Sequence, residues 1–433
     1  SPLGASREEF TRSLLAGRSG AGPIRAFDAR GFACRIAAEV PPCVLSARCP
    51  GWELQGVEGS GDRKLELGLV AAHDALDQAG LLPAAAQEGG GAGGAGGVGG
   101  TGGAGLDGIS LGTGLSSVLV EEVEREIIPF LSKDGEFDHQ LFAGSGLAER
   151  WSVPRHLPGR TADQLARICG IGELRTTHFS ACAASAHAIG QAARWVARGL
   201  AERVLAGGMD SMIHPFGLSS FVLLGTLTTR NDEPQLASRP FDRARDGFLL
   251  GEGAAMLVVE ALDAARARGA PILAEILGFG TSVDAWQVTA PHPEGRGAVL
   301  AMQRALDDAG LQPEQVGYVN AHGTGTPLND PIEIRAFRQV FGPAAQRCPI
   351  SSTKSMHGHL IAAAGAIEAC ALLVALAAQR LPPTINVSEL DPECQADVVP
   401  NTSRPAEIGA ALSNSFGFGG QNGCLVLGRV DRG

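Results

Sequence analysis

An internal repeat constrains the fold of this chain more than any single motif does. Residues 71–81 align without gaps with residues 301–311, and seven of the eleven positions are identical at a constant offset of 230. Each copy has the apolar spacing of an amphipathic helix and closes on a glycine, Gly80 or Gly310. The repeat therefore predicts two related halves, with chance similarity between two alanine-rich helices as the alternative.

The residues after each helix argue against chance similarity. A predicted strand at 109–112 runs into Gly112-Thr113-Gly114, and a predicted strand at 316–320 runs into His322-Gly323-Thr324-Gly325. Further apolar runs lie at residues 203–206, 254–260 and 272–277. They alternate with helical patterns at residues 183–199 and 262–269. This alternation is typical of layered α/β folds, and we place the two halves at 1–270 and 271–433.

Residues 89–105 are unlike the rest of the chain, because twelve of the seventeen positions are glycine. A segment of this composition buries too little apolar surface to order itself, so we predict a flexible surface insertion. A phosphate-binding loop is the alternative, but no G-K-[ST] follows the glycines.

Composition excludes several classes of protein. The formal net charge of −11 disfavours a surface that follows nucleic-acid phosphates. There is no uninterrupted apolar run of about 18 residues and no signal-peptide pattern at Ser1-Pro2-Leu3-Gly4, so we expect no membrane association and a cytoplasmic location. The nine cysteines form no C-x-x-C pair, which predicts reduced thiols and no zinc site.

One of these cysteines is a candidate nucleophile. Cys182 lies in Thr177-His178-Phe179-Ser180-Ala181-Cys182-Ala183-Ala184, where a predicted strand gives way to a helix of small residues. Backbone N–H groups and the positive end of a helix dipole favour a thiolate, so we expect a lowered thiol pKa. The alternative for Cys182, and our interpretation of the other eight cysteines, is a buried structural thiol.

Three more motifs complete a candidate site. His322 lies in Asn320-Ala321-His322-Gly323-Thr324-Gly325, and His359 lies in Lys354-Ser355-Met356-His357-Gly358-His359. Each histidine follows a predicted strand, so both imidazoles are expected to project toward one pocket. Residues 414–422 form a turn of small residues whose backbone N–H groups suit an oxyanion hole. His178, His187, His214, His292 and His357 are interpreted as structural or surface histidines.

These four motifs, in this order, resemble the elongating β-ketoacyl-carrier-protein synthases with a Cys-His-His triad, which are condensing enzymes of the thiolase superfamily. The resemblance covers nearly the whole chain and includes residues 229–234 and 238–242. It implies a thiolase-like five-layered αβαβα fold built from two related halves. It also implies a decarboxylative Claisen condensation, with no cofactor beyond the phosphopantetheine of the carrier-protein substrate.

The resemblance also implies roles for individual residues. Cys182 would accept the acyl chain, and His322 and His359 would hold the malonyl thioester carbonyl and promote loss of its carboxylate. The implied roles of the others are an oxyanion hole from the N–H groups of Cys182 and Phe418, a gate at Phe418, organisation of His359 by Lys354 with Glu368 behind it, and substrate contacts from Thr324, Thr326, Phe416 and Glu368. Solvated charge is the alternative for Lys354.

The expected partners are an acyl-carrier protein bearing an acyl or malonyl group and a second copy of the chain, or a related subunit in a heterodimer. Carrier proteins are usually acidic, so an acidic enzyme needs a local basic patch. Arg63 and Lys64, which precede a predicted helix at 65–80, and Arg230 are our candidates. An ordinary solvated charge is the alternative for all three.

The match has three departures. The resemblance places a strand before Ser1, so the first sheet is expected to lack one strand. Gln287 stands where relatives often have histidine, which bears on substrate choice, and the glycine-rich insertion is unusual. Fatty-acid elongation and a polyketide or polyene route remain open.

Competing interpretations lack residues or leave residues unexplained. A thiolase needs a second cysteine in a C-x-G turn, an initiating synthase has asparagine where His359 stands, and a chain-length factor lacks the nucleophile. A non-catalytic carrier-protein-binding subunit would not need Cys182, His322, Lys354 and His359 together. A papain-like hydrolase leaves two histidines unexplained, and its C-G-S-C-W signature is missing.

Overall fold

The computed structural model describes residues 1–55, 57, 60–82, 105–114, 120–147, 157–172 and 174–430. Of the glycine-rich segment, only Gly105 belongs to the described residues. The flexible insertion therefore stays a prediction.

The α-helices of the described residues are numbered here in chain order. They are α1 Arg7–Leu15, α2 Leu45–Arg48, α3 Arg63–Gln78, α4 Val120–Glu126, α5 His139–Gly144, α6 Gly159–Cys169, α7 Ala184–Ala197, α8 Pro215–Leu223, α9 Leu262–Ala267, α10 Arg296–Ala309, α11 Asn329–Phe341, α12 Lys354–His357 and α13 Ala364–Ala378. The strands are β1 Gly22–Pro23, β2 Ile36–Ala37, β3 Gly108–Thr113, β4 Leu174–His178, β5 Arg203–Asp210, β6 Gly253–Glu260, β7 Glu275–Val283, β8 Val316–Asn320, β9 Ile350–Ser351, β10 Arg380–Leu381, β11 Arg404–Pro405, β12 Ala410–Phe416 and β13 Gln421–Gly428.

Two large sheets form the framework. The N-terminal sheet has the order β4-β3-β5-β6, with β4, β3 and β5 parallel and β6 antiparallel to β5. The C-terminal sheet has the order β7-β13-β12-β8-β9, in which β9, β8 and β12 are parallel and β13 is antiparallel to both β12 and β7. The second order, read from its other end, is β9-β8-β12-β13-β7, and its first four strands correspond to β4, β3, β5 and β6. Strand β7 is the additional strand of the second sheet.

Helices complete five layers. The helices α7 and α13 pack against each other between the two sheets, α3 and α6 cover the outer face of the N-terminal sheet, and α10 lies on the outer face of the C-terminal sheet with α11 beside it. Apolar side chains fill the space between the layers in three large clusters. The predicted αβαβα arrangement is confirmed.

The repeat has its structural counterpart in these layers. Its two copies form α3 and α10, and each is followed by an inner strand, β3 or β8, as predicted. The predicted strand at 272–277 is wrong in its bounds, because β7 spans Glu275–Val283. Pairing with β13 along its whole length extends β7 through Gly278 and Gly280, which local propensity alone disfavours.

Among the described residues, one segment, Ile361–Ala378, is long and apolar enough to cross a membrane by length and composition. In the fold it includes α13 between the two sheets, and 72% of the segment is buried. It also contains Glu368, which is fully buried and paired with a lysine. The segment is therefore the core helix of a layered fold, and it is apolar because most of it packs against other elements of the protein.

Candidate active site

Cys182 lies in a short 3-10 turn, Ala181–Ala183, between β4 and α7. Ala181 has a φ of 46°, a left-handed conformation that alanine rarely adopts. The start of α7 lies close against the sheet, because a Cβ at Gly112 would come within 2.3 Å of the Ser185 nitrogen. The turn is therefore packed in the protein interior, and Cys182 is only 4% exposed.

The same geometry recurs in the second half of the chain. The turn Ile361–Ala363 precedes α13 as Ala181–Ala183 precedes α7, and Ile361 has a φ of 45°. The position that corresponds to Cys182 is Ala362. Two equivalent strained turns thus meet at the centre of the molecule, and one carries a thiol while the other follows His359.

The expectation of a lowered thiol pKa is wrong for Cys182. Burial raises the pKa of the Cys182 thiol to about 11. The Lys354 cation and the backbone N–H groups of Phe418 and Cys182, which are directed at the sulfur, act in the opposite direction and do not outweigh the burial. The free enzyme therefore holds a thiol, and these donors stabilise negative charge on sulfur as it develops during a reaction.

The two predicted histidines meet at this thiol. The Nε2 atom of His359 is 3.0 Å from the Sγ atom of Cys182, and the rings of His322 and His359 are 5.4 Å apart at an interplanar angle of 81°. One ligating atom from each of these three side chains lies within 4.8 Å of the other two. The structure brings the predicted triad together.

Both imidazoles are neutral at ordinary pH. Burial, followed by the charge of Lys354, lowers the pKa of each ring well below its usual range. The backbone N–H of Ile361 donates to Nδ1 of His359 at 3.2 Å, which leaves the ring hydrogen on Nε2. His359 therefore presents a donor to the pocket, and this suits an oxyanion better than a metal ion.

His322 is fixed through its backbone. Its N–H donates to Glu333 at 2.8 Å, and its carbonyl accepts from the Lys354 ammonium at 2.6 Å. The Nδ1 atom is buried and has no hydrogen-bond partner among the described residues. The Nε2–H tautomer leaves only a lone pair unpaired there, whereas the other tautomer would bury an unpaired N–H.

Lys354 and Glu368 form an ion pair at the base of the site. The ammonium contacts the carboxylate directly, and both side chains are at most 1% exposed. Burial raises the pKa of the Glu368 carboxyl to about 7, and the Lys354 cation opposes this rise. Glu368 thus lies behind Lys354, as the resemblance implied, and its burial in this ion pair argues against the predicted contact with substrate. The Lys354 ammonium, which Glu368 balances, also bonds the His322 carbonyl and is therefore not a solvated charge.

We expect the Glu368→Leu substitution to lower the free energy of unfolding by about 3–5 kcal/mol, because it leaves a buried ammonium without its counter-ion. The double variant Lys354→Met/Glu368→Leu should recover most of this loss, since it buries no charge. Denaturant unfolding of the three proteins measures both effects. If the free energy of unfolding of Glu368→Leu lay within about 1 kcal/mol of the wild-type value, Lys354 and Glu368 would not be closely coupled.

Sequence reasoning missed a second group of buried polar residues beneath the histidine turn. Glu333 accepts from the N–H groups of His322 and Gly323 and from Asn414 at 2.7–3.0 Å. Asp330 accepts from the N–H of Gly325 at 3.1 Å. Burial raises the pKa of both carboxyls, and the hydrogen bonds they accept oppose the rise. The available signal was two carboxylates three positions apart on the helix that follows the His322 motif.

The predicted gate and substrate-contact residues surround the triad. Phe418 is half-buried in the turn Phe418–Gly420, above the cysteine turn, and Gly419 in the same turn donates to the Val288 carbonyl at 2.6 Å. Phe416 is buried with its ring 5.8 Å from the His322 ring. The hydroxyls of Thr324 and Thr326 lie 3.1 Å apart at the end of the histidine turn.

The structure corrects the predicted docking patch. Lys64 is 2% exposed and donates to the Gly114 carbonyl at 3.3 Å, so it presents no charge at the surface. Arg63 lies in the first turn of α3 and bonds Glu252 and the Val40 carbonyl. The charge pattern of the sequence does not predict these contacts, because the partners of Arg63 and Lys64 are distant in the chain. Arg230 is exposed and remains a candidate.

Two of the other histidines, His187 and His357, have internal partners. The ring of His187 lies within hydrogen-bonding distance of Ser180, Thr281 and the Asn422 carbonyl. His357 is fully buried between the Gly358 carbonyl and Thr353, and burial lowers its pKa to about 3. Their interpretation as structural residues agrees with these contacts.

A five-layered αβαβα fold with a buried cysteine and two neutral imidazoles at its centre defines the class of condensing enzymes with a thiolase-like fold. The sequence matches the family description "Beta-ketoacyl synthase, N-terminal domain" over residues 1–265 and "Beta-ketoacyl synthase, C-terminal domain" over residues 273–388. The chain belongs to the beta-ketoacyl synthase family.

Individual relatives agree with this assignment. The chain is 39% identical to a 3-oxoacyl-[acyl-carrier-protein] synthase 2 from Coxiella burnetii, over 99% of this chain and 96% of that protein. A beta-ketoacyl synthase structure from Burkholderia phymatum STM815 superposes with a TM-score of 0.82 at 33% identity, over 99% and 97% of the two chains.

A type II PKS ketosynthase, solved in complex with its acyl-carrier protein, superposes with a TM-score of 0.81 at 29% identity, over 100% and 97% of the chains. The protein is thus an acyltransferase, a β-ketoacyl-[acyl-carrier-protein] synthase of fatty-acid or polyketide chain elongation.

Proposed function

We propose that Cys182 carries the growing acyl chain and that His322 and His359 drive the decarboxylation of the malonyl partner. The observation that supports this division is the position of the Cys182 sulfur, 3.0 Å from the Nε2 atom of His359 with His322 beside it. One sulfur and two imidazole donors thus face a shared space, as a reaction between two thioesters requires.

In the loading step, the Cys182 sulfur attacks the carbonyl carbon of an acyl thioester on the carrier protein. The new C–S bond forms first and gives a tetrahedral intermediate. Its collapse breaks the bond to the phosphopantetheine sulfur, and the thiol proton of Cys182 ends on the departing phosphopantetheine thiol. The N–H groups of Cys182 and Phe418, which lower the pKa of the Cys182 thiol against the effect of burial, would hold the oxyanion of the tetrahedral intermediate.

In the condensation step, the bond between the malonyl carboxylate and the α-carbon breaks, and CO₂ leaves. The electron pair of the broken bond stays with the α-carbon and forms an enolate. The Nε2–H groups of His322 and His359 hold the enolate oxygen. The α-carbon then attacks the acyl-Cys182 thioester and expels the Cys182 thiolate, which takes up one proton from solvent. Lys354 fixes His322 through its carbonyl, and two imidazole donors supply the stabilisation without a metal ion or a further cofactor.

The remaining contacts belong to the thioester arm. We propose that Thr324 and Thr326 bond the phosphopantetheine arm and that Phe418 moves to admit it, with Phe416 lining the space beside His322. Their placement around the histidine turn and the glycine-rich turn 417–420 supports these roles. The arm arrives covalently attached to the carrier protein.

The proposed partner is an acyl-carrier protein, as in the complex of the similar type II PKS ketosynthase. Arg230 is the remaining candidate contact, since 40% of its side chain is exposed beside Asp246. We expect Arg230→Glu to raise the KM for acyl-carrier protein about three- to fivefold and to weaken its dependence on salt. The matched control is Arg404→Glu, another exposed arginine paired with an aspartate. Equal KM values for the two variants would remove Arg230 from the interface.

The proposed assembly is a homodimer in the cytoplasm, formed by pairing β4 of each subunit across a two-fold axis. β4 is an edge strand of the N-terminal sheet, and the Phe179 side chain at its end is 50% exposed. We expect Phe179→Glu to shift the sedimentation coefficient from dimer to monomer, whereas Leu273→Glu, at a similarly exposed residue, should not. A dimer that persists in Phe179→Glu would place the interface elsewhere.

A further inference from the structure

A buried carboxylate that the proposed chemistry does not use lies beneath the catalytic histidine. Asp210 ends β5 and is fully buried. Its Oδ1 atom accepts from the N–H of Ser211 at 2.9 Å, and its Oδ2 atom accepts from the N–H of Ala362 at 3.0 Å. The carboxylate therefore joins the end of the N-terminal sheet to the turn that follows His359.

That turn determines how His359 is presented. Ile361 holds a left-handed φ of 45°, which costs a β-branched residue of order 1–3 kcal/mol and persists only where the surroundings enforce it. The N–H of Ile361 donates to Nδ1 of His359, and the next N–H along the chain, that of Ala362, donates to Asp210. The Ile361 N–H thus fixes the tautomer of His359, and the Ala362 N–H anchors the same turn to Asp210.

The carboxylate has a cation nearby. Gly114 lies directly against it, because a Cβ at Gly114 would come within 2.4 Å of Oδ2, and the Lys64 ammonium donates to the carbonyl of this same glycine at 3.3 Å. Burial raises the pKa of the Asp210 carboxyl to about 6, and the Ala362 N–H and the charge of Lys64 oppose this rise.

A second pair continues this polar layer. Ser211, the residue after Asp210, donates its hydroxyl to Glu252 at 2.7 Å, and Glu252 also accepts from Arg63 at 3.2 Å. Arg63 and Lys64 are thus the outer end of an internal chain of charges that begins at the first turn of α3. Lys64 is thus absent from the surface, whereas Arg63, whose side chain is 26% exposed, is held by Glu252.

We propose that Asp210 is a positioning residue for His359: as a carboxylate balanced by Lys64, it anchors the strained turn Ile361–Ala363 and so keeps the Ile361 N–H on Nδ1 of His359. This inference rests on the role proposed for His359 as an Nε2–H donor to the enolate.

The negative charge is essential to this role. A carboxylate accepts both backbone N–H groups, and hydrogen bonds to an ionised acceptor are roughly twice as strong as neutral ones. An amide of the same shape would turn an NH₂ group toward one of the two N–H donors. The anchor at Ala362 or the bond to Ser211 would then be lost, and the left-handed turn would relax.

The test is Asp210→Asn in the full-length enzyme. We expect kcat for decarboxylation of malonyl-acyl-carrier protein to fall at least tenfold, with KM changed less than twofold. The ¹⁵N spectrum of labelled histidine, with the His359 signals assigned by their loss in His359→Gln, should change from the Nε2–H tautomer to a mixture. The matched control is Asp308→Asn, since the Asp308 carboxylate also accepts a backbone N–H, that of Phe279 at 2.9 Å, outside the site.

A second pair of variants tests the charge balance without altering the carboxylate. Lys64→Met should lower kcat about three- to tenfold, and Lys64→Arg should restore it to within twofold of the wild type. If Asp210→Asn does not fold, this pair decides the matter. Wild-type kcat and an unchanged His359 tautomer in Asp210→Asn, or equal kcat values for Lys64→Met and Lys64→Arg, would overturn the proposal. Failure of the role proposed for His359 would appear separately, as full decarboxylation by His359→Ala.

Discussion

Replacing Cys182 with alanine is expected to lower β-ketoacyl product formation by at least about 10⁴-fold, because removal of a nucleophile that acts as part of a catalytic unit typically costs this much or more. Acyl loading should disappear with it. The fold should survive, since the change removes one sulfur atom from a turn that already consists of alanines, at a cost of about 1 kcal/mol. Product formation from acyl- and malonyl-carrier protein measures the first effect, and thermal unfolding measures the second.

The same variant separates the two halves of the reaction. If Cys182 carries the acyl group and the histidines drive decarboxylation, Cys182→Ala should still release CO₂ from malonyl-carrier protein. A suitable control is Cys424→Ala, because Cys424 is equally buried but bonds Asn414 and is not directed at the histidines. Retained condensation in Cys182→Ala would contradict the assignment of the nucleophile.

The second large effect concerns the histidine pair. His322→Ala and His359→Ala are each expected to lower malonyl decarboxylation about 10²- to 10³-fold, the usual cost of removing one oxyanion donor. Cys182 should still react with an acyl thioester or an alkylating reagent in both variants. The double variant should lose far less than the product of the two single effects, because both donors serve one oxygen.

The control for the histidine pair is His357→Gln. His357 is as deeply buried as His359 and lies two residues away, but its ring nitrogens bond the Gly358 carbonyl and Thr353. This variant should lose stability and keep its decarboxylation rate per folded molecule. Decarboxylation by His322→Ala at the wild-type rate would contradict the role of that histidine, and Lys354 would then be the next donor to test.

The fold was largely predictable because its signals are local. The repeat places an amphipathic helix before an inner strand in each half, and the structure has α3 and β3 in one half and α10 and β8 in the other. Helix periodicity and a terminal glycine act within a few residues, so they can be recognised in sequence alone. The bounds of β7 were missed because cross-strand pairing with β13, distant in the chain, determines where it ends.

The site also has features that the sequence predicts and features that depend on tertiary contacts. Cys182, His322, Lys354 and His359 were predictable together, since four separated motifs occur in a characteristic order. The pKa of Cys182 was predicted in the wrong direction, because the dipole argument considers only the turn and α7, whereas burial comes from β12, β13, α13 and the turn that precedes α13. Lys64 was misplaced for a similar reason, since its partner Gly114 is 50 residues away. Such tertiary partners have no signature in local charge pattern.

The central claim is that the acyl chain is carried on Cys182, and mass spectrometry tests it most directly. The enzyme is incubated with acyl-carrier protein in the absence of malonyl-carrier protein, digested, and analysed for acylated peptides. The account predicts a single acyl group on the peptide that contains Cys182, which disappears with release of CO₂ when malonyl-carrier protein is added. An acyl group on another cysteine, or an unmodified Cys182 peptide in an enzyme that makes β-ketoacyl product, would contradict it.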